Sequence, residues 1–219
     1  MQYILWLKGG AASGKSVLSS FIINNLIERG LCCQYFFIRF GDRKKRSLSF
    51  LLRSIAYQVA QQIPSFLQEM LELGDEAIDF EAANPRAIWD RVFKSVLFKS
   101  SANRPLYWVI DGLDEADDPR ATVKLLSELT MSAIPIRIVL VSRDTTEIAT
   151  SLEKIPNTIH RGVITTEGHL EDLRCYVSRE LNLSGTAEFR ERISERILNG
   201  AQNNFLVSHV YTCSLRTFH

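Results

Sequence analysis

No stretch of this 219-residue sequence approaches the roughly 20 consecutive apolar residues needed for a membrane-spanning helix. The N-terminus has no basic region followed by a long apolar segment and a cleavage site. It enters a strand-like run almost at once, so no secretory signal is expected. The four cysteines, Cys32, Cys33, Cys175 and Cys213, show no CxxC spacing and no neighbouring histidine cluster. That pattern argues against a zinc site or a disulfide framework and for a reducing compartment. Charge of either sign is barely in excess, at a formal +1, so nucleic acid or anionic lipid would have to find a local patch. Internal repeats and low-complexity segments are also missing. A cytoplasmic, globular protein is the expectation.

The composition that remains, 46% hydrophobic and 23% charged, supplies enough apolar surface for a buried sheet. The length suits one α/β domain with a small appendage. Five short runs rich in aromatic and β-branched residues alternate with helix-length segments, as in a parallel sheet covered by helices. They are Tyr3–Leu7, Gln34–Phe40, Leu106–Asp111, Arg137–Ser142 and Ile159–Thr165. The third and fourth are almost wholly apolar, which places them centrally. Between the first two, Val17, Leu18, Phe21, Ile22 and Leu26 recur at helical spacing before Gly30, predicting a helix over Lys15–Arg29 packed on the sheet through those residues. Further helices are predicted over Ser47–Ile63, from Asn84-Pro85 onward, and over Pro119–Met131. After about Gly168 the pattern becomes helical only, with Leu170–Leu181, Ala187–Leu198 and an apolar end around Phe205, Val207 and Val210. We therefore expect an α/β core over 1–167 and a small helical lid over 168–219. The abrupt start and finish suggest a piece of a larger protein.

The residues with the most specific chemistry are Gly9-Gly10-Ala11-Ala12-Ser13-Gly14-Lys15-Ser16. They fit GxxxxGK[ST] directly after a predicted strand and directly before a predicted helix. Glycines let backbone N–H groups turn inward around phosphate oxygens. Lys15 then reaches the β- and γ-phosphates, Ser16 offers its hydroxyl to magnesium, and the helix N-terminus adds a favourable dipole. Val17, the next residue, is counted with this binding segment. The run Leu106–Ile110 ends in Asp111, a carboxylate placed to hold hydrated magnesium with Ser16. Asp114 and Glu115 follow as candidates for polarising an attacking water, although Asp117 and Asp118 show that the segment is acidic in general. Arg143, at the end of the fourth run, falls at the sheet edge where ligands of open α/β sheets bind, and is a candidate γ-phosphate sensor. The alternative is an exposed arginine paired with Asp144 or Glu147. The basic run Arg43-Lys44-Lys45-Arg46 has no interleaved aromatics and reads as a solvated loop.

Taken together, Trp6–Ser16, Ile110-Asp111-Gly112-Leu113-Asp114-Glu115 and Ile138–Arg143 resemble the NACHT domain of NOD-like receptors, particularly the fungal type, a STAND-class P-loop NTPase. Gln34–Phe37, Leu51–Gln58 and Glu171–Val177 extend the likeness over nearly the whole chain. In this motif Gly112 stands where many relatives carry a catalytic Glu. The resemblance implies a five-stranded parallel sheet, with the fourth strand between those bearing the phosphate loop and Asp111. It also implies a switch that holds ADP or GDP when resting, exchanges it for ATP or GTP with Mg2+, and self-associates, with slow hydrolysis resetting it. Homo-oligomerisation, an N-terminal effector domain and a C-terminal sensor domain would belong to the full-length protein, with no specific nucleic-acid partner. Asp114, Glu115 and Arg143 take the catalytic roles in that picture, Ser16 and Asp111 the metal. One departure is Asn203, where the family's lid carries a glycine before a hydrophobic pair.

Two other functions are weighed against the switch. A turnover ATPase of the AAA+ or ABC type needs a dedicated water-activating Glu, and Gly112 follows Asp111 directly. A small-molecule kinase needs an acceptor pocket and lid arginines, and Arg174 and Arg179 lie on a predicted helix expected to face solvent. No Asn-Lys-x-Asp guanine signature is present, which favours ATP over GTP.

Overall fold

The computed structural model describes residues 3–72, 83–100, 104–155, 158–164, 174–175 and 186–201. Five strands form one sheet: β1 (Tyr3–Gly9), β2 (Cys32–Phe37), β3 (Leu106–Asp111), β4 (Ile136–Ser142) and β5 (Thr158–Ile164). Their order is β2-β3-β4-β1-β5, and β2–β3, β3–β4 and β4–β1 pair in parallel. The two most apolar runs, β3 and β4, are inner strands, with β4 between β3 and β1 as the resemblance implies. Parallel strands need crossovers, and the helices supply them: α1 (Lys15–Glu28), α2 (Leu48–Gln62), α3 (Pro64–Glu72), α4 (Pro85–Ile88), α5 (Pro119–Ser127) and α6 (Thr146–Glu153). This is the P-loop NTPase architecture.

The period-2 alternation of the strands sorts side chains onto two faces. Trp6, Phe36, Trp108, Ile110, Ile138 and Leu140 enter the larger core, where α2 contributes Leu51, Leu52, Ile55 and Val59. Trp89, Phe93 and Trp108 are fully buried there; Trp89 stacks on Phe93 with ring centroids 5.0 Å apart, and Phe93 meets Trp108 edge-on at 5.7 Å. Cys33, Val109 and Ile23 form a smaller cluster on the opposite face, with Ile22, Leu26, Phe37 and Val139 packed around it. Asp111 shares the parity of Val109, so the strand alternation turns its side chain toward α1.

Several elements differ from the sequence reading, each for a physical reason. Helix α1 does pack on the sheet, but not through Val17 and Phe21, which are 75% and 65% exposed. Its buried residues are Ser19 and Ile23, because the inward position nearest Asp111 must be small and polar. Helix α2 stops where expected, but the chain re-enters a helix at once. Ile63, held extended before a proline, ends α2, and Pro64 opens α3, whose missing N–H costs nothing at a first helical position. The segment after Asn84 begins as α4, capped by the Asn84 side chain accepting from Ala87 N–H at 2.9 Å. It continues as a π-helical turn over Trp89–Lys94, with Ser95 N–H bonded to Asp90 O. The helix predicted to Met131 tightens into a 3-10 turn from Glu128.

The chain divides into two compact units, Met1–Lys8 with Lys15–Gly162, and Gly9–Gly14 with residues from Val163 onward. In the second unit the described residues include α7 (Ala187–Ala201). The predicted helix over Leu170–Leu181, apart from Arg174 and Cys175, and the apolar end after Asn204 lie outside the described residues. No helix of the described residues is long and apolar enough to cross a membrane.

The reassigned face of α1 gives a direct test by urea denaturation. Ile23→Ala removes a buried side chain and is expected to cost about 2–5 kcal/mol, whereas Phe21→Ala removes an exposed one and should stay within about 1 kcal/mol. A reversed order would return Phe21 to the packed face.

Candidate functional site

Asp111 ends β3 and is buried, at 4% exposure. An ionised carboxylate there must be satisfied locally. Two serines from the first turns of α1 do this: Ser16 Oγ donates to Asp111 Oδ2 at 2.6 Å and Ser19 Oγ to Asp111 Oδ1 at 3.1 Å. Ser16, Ser19 and Lys15 all lie at the start of α1, so the strand end and the helix start form one polar cluster. Burial pushes the Asp111 carboxyl above its ordinary value, while the hydrogen bonds from Ser16 and Ser19 and the charge of Lys15 oppose the rise. Burial likewise lowers Lys15. The charges of Asp114, Asp111 and Glu115 pull it back up, and Arg143 works against them. Lys15 thus sits among carboxylates in a partly dehydrated cleft. That cleft, about 340 Å³, is lined by Lys15, Ser16, Ser20, Phe37, Ile38, Arg39, Asp111, Gly112, Asp114 and Glu115.

The loop Gly9–Gly14 has its own geometry. Ala12 (φ 55°) and Gly14 (φ 76°) both take the left-handed region on either side of Ser13, which does not, and alternation of that kind is the backbone pattern of an anion nest. Ser13 Oγ is buried with no hydrogen-bond partner in the structure. A Cβ at Gly9 would lie 2.5 Å from that oxygen, so only glycine fits at the start of the loop without displacing Ser13.

The remaining candidates are drawn together in ways that sequence alone did not indicate. Arg143 pairs with neither Asp144 nor Glu147, which engage Lys8 (2.7 Å) and Arg120 (2.9 Å). Its partner is Asp114: Arg143 N–H donates to Asp114 Oδ1 at 2.9 Å, and its Nε lies 3.3 Å from Oδ2. Glu115 accepts the N–H of Phe40 at 2.7 Å. Asp118 caps α5 through Ala121 N–H, and Asp117 pairs with Arg46. Val17 is exposed on α1. Gly112 is left-handed, with φ 78°, and a Cβ there would meet Ile38 O at 2.7 Å; no larger residue fits this backbone. Ser19 and Arg39 are the residues that sequence reasoning missed. The signal for Ser19 was a small polar residue four positions after Lys15, facing the sheet.

The donor set fits a magnesium-bound nucleotide. Ser16 and Asp111 offer two hard oxygens on one side, which is how magnesium is held when water and phosphate complete its shell. Among the described residues no group of three or more His, Cys, Asp or Glu forms a metal cage.

A family model described as Nephrocystin 3, N-terminal, matches residues 1–143 of the 219. The chain belongs to that family. Its matched segment runs from the phosphate-loop motif through Asp111 to Arg143, so every candidate site residue falls within the nephrocystin 3 N-terminal region. No curated protein matches the chain. Among solved structures, the chain is similar to the Aeropyrum pernix Orc1 protein in complex with DNA, with a TM-score of 0.52 and 10% identity over 82% of this chain and 44% of that one. It also matches a Drosophila ORC bound to DNA (TM-score 0.49, 14% identity, 98% and 49% covered). A third match is a DNA replication initiation factor (0.44, 13%, 91% and 53%). The chain thus spans about half the length of these three structures. At 10% identity the first likeness establishes a shared fold and nothing of partner or activity.

Two substitutions follow from this geometry. A carboxyl whose folded pKa is raised adds stability below its unfolded value of 3.8 and loses that contribution as pH climbs through the folded value. Ionised Asp111 is therefore destabilising at neutral pH. Asp111→Asn should raise the melting temperature of the nucleotide-free protein at neutral pH, with the gain shrinking as pH falls toward about 4; a lowered Tm at neutral pH would contradict this. Gly112→Ala is expected to cost about 2 kcal/mol or more in urea denaturation, from the left-handed backbone and the contact with Ile38 O.

Proposed function

We propose that this nephrocystin 3 N-terminal domain binds ATP or GTP with magnesium through Gly9–Ser16 and uses the nucleotide as a conformational switch rather than as fuel for rapid turnover. The observation that carries the reading is the buried Asp111 carboxylate held by Ser16 and Ser19 beside Lys15. A buried carboxylate beside a half-buried lysine, in a cleft open to a ligand, is a costly arrangement that a structural core alone does not call for. In the proposed complex the loop N–H groups and Lys15 hold the phosphates, while Ser16 and Asp111 hold the metal. Magnesium, when bound there, would neutralise phosphate charge and orient the terminal phosphate.

The switch reading is favoured over rapid hydrolysis by how the acids are engaged. Gly112 has no carboxylate and no room for one. Glu115 is committed to the Phe40 N–H and Asp114 to Arg143. Asp114, with both oxygens on Arg143, would have to leave its partner to polarise a water, and Glu115 could do so only through the oxygen not held by Phe40, which favours slow hydrolysis. Arg143, balanced against Asp114 at the end of β4, suits a sensor that exchanges a carboxylate for a phosphate. The resemblance to fungal NACHT domains supports the same reading and extends it to a self-associating receptor with effector and sensor domains elsewhere in the full-length protein.

Calorimetric titration with ATP, ADP, GTP and GDP in magnesium is the test, with Lys15→Ala as control. Saturable binding with one base preferred, weakened at least tenfold by Lys15→Ala, is expected. Single-turnover hydrolysis should then take minutes or longer. Absence of binding by all four nucleotides, or equal binding by the Lys15 variant, would refute the site; rapid multiple turnover would refute the switch.

A further inference from the structure

A second depression lies away from the phosphate-loop cleft and shares none of its lining residues. It is an open trough of about 930 Å³ lined by Arg43, Lys44, Ser47, Phe50, Arg53, Ser54 and Tyr57. Three of the seven are cations and none is an acid. Two are aromatic and two are serines; Phe50, Ser54 and Tyr57 share one face of α2 at its helical spacing, and Ser47 is the extended residue just before it. In sequence the basic run has no interleaved aromatics. The fold supplies them from the adjoining helix.

The trough is also preorganised. Asp42 Oδ1 accepts the backbone N–H groups of Lys44 (3.0 Å) and Lys45 (3.3 Å), and Ser47 N–H bonds to Lys44 O at 3.1 Å, which fixes the loop that presents Arg43 and Lys44. Tyr57 is 66% exposed, and its hydroxyl accepts from Gln61 Nε2 at 3.1 Å, so its ring is steadied while open to solvent. Arg46 lies over the Phe40 ring at 4.8 Å and pairs with Asp117. This anchors the end of the loop and leaves Arg43 and Lys44 as its exposed cations.

We propose that this trough binds a short stretch of single-stranded nucleic acid without sequence preference, its phosphates on Arg43, Lys44 and Arg53 and a base stacked on Tyr57. An acidic peptide would use the same cations. However, exposed carboxylate pairs contribute little, whereas stacking on an aromatic ring contributes substantially per base and tolerates any base. A solvent-exposed tyrosine beside three cations therefore favours the nucleic acid. The near-zero net charge argues against a general polycation effect, so attraction has to come from a local patch.

Fluorescence anisotropy on the full 219-residue chain tests this, using a labelled oligo(dT) of about 12 nucleotides at about 50 and about 200 mM salt. The wild type should bind with salt-dependent affinity. Tyr57→Ala should weaken binding about tenfold and Tyr57→Phe should restore it. Arg43→Ala with Lys44→Ala should weaken binding and flatten the salt dependence, while Lys15→Ala leaves both unchanged, which separates this trough from the phosphate-loop cleft. Circular dichroism melts check that each exposed substitution keeps the fold. No binding, binding indifferent to Tyr57→Ala, or equal binding of a duplex would each overturn the proposal. So would displacement by poly-glutamate at equal charge concentration, which would assign the trough to acidic peptides.

Discussion

The buried carboxylate of Asp111 is the constraint around which the rest of the site is arranged. It ends an inner strand of a parallel sheet and would be costly there without partners. Meeting that cost requires the first turns of α1 to present hydroxyls inward, which makes Ser16 and Ser19 the residues that face the strand and turns Val17 and Phe21 outward. The same parity that aims Asp111 at α1 sends Trp108 and Ile110 into the larger core on the other face. The strand therefore anchors the fold with one set of side chains and equips the cleft with the other.

A second consequence concerns the acidic turn after β3. The left-handed Gly112, pressed against Ile38 O, brings the turn close to the segment following β2. Contacts then follow in series: Ile38 N–H to Asp111 O, Phe40 N–H to Glu115, the Arg46 guanidinium over Phe40, and Asp117 to Arg46. The loop carrying the basic run is thus fastened to the residues beside the phosphate-loop cleft. Any movement that frees Glu115 also loosens Phe40, which gives a local rearrangement a physical route outward.

Much of this was legible in the sequence, and the illegible parts have identifiable causes. Strands β3 and β4 were plain because they are largely buried on both faces and read as almost wholly apolar runs. Lys15, Ser16 and Asp111 were readable because their chemistry fixes both residue type and local context. The face of α1 was misread because Val17 and Phe21 fit a helical apolar pattern, whereas the requirement that selects Ser19 comes from a strand 92 positions away. Helix α3 was missed because Pro64 signals the end of one helix and the start of another equally well. The Asp114–Arg143 pair depends on β3 lying next to β4, an adjacency that came from family likeness and not from spacing. Membership of the nephrocystin 3 N-terminal family, which the NACHT likeness did not name, needed the comparison of the whole 1–143 segment.

The central claim is that Ser16 and Asp111 act as one unit toward a magnesium-bound nucleotide. A double-mutant cycle with Ser16→Ala and Asp111→Asn, read as the magnesium-dependent part of ADP affinity, tests it most directly. If the two residues share one ion, the double variant should lose little more than the worse single variant, because the first substitution already removes the metal's support. Losses that add, or affinities that ignore magnesium in the wild type, would contradict the account.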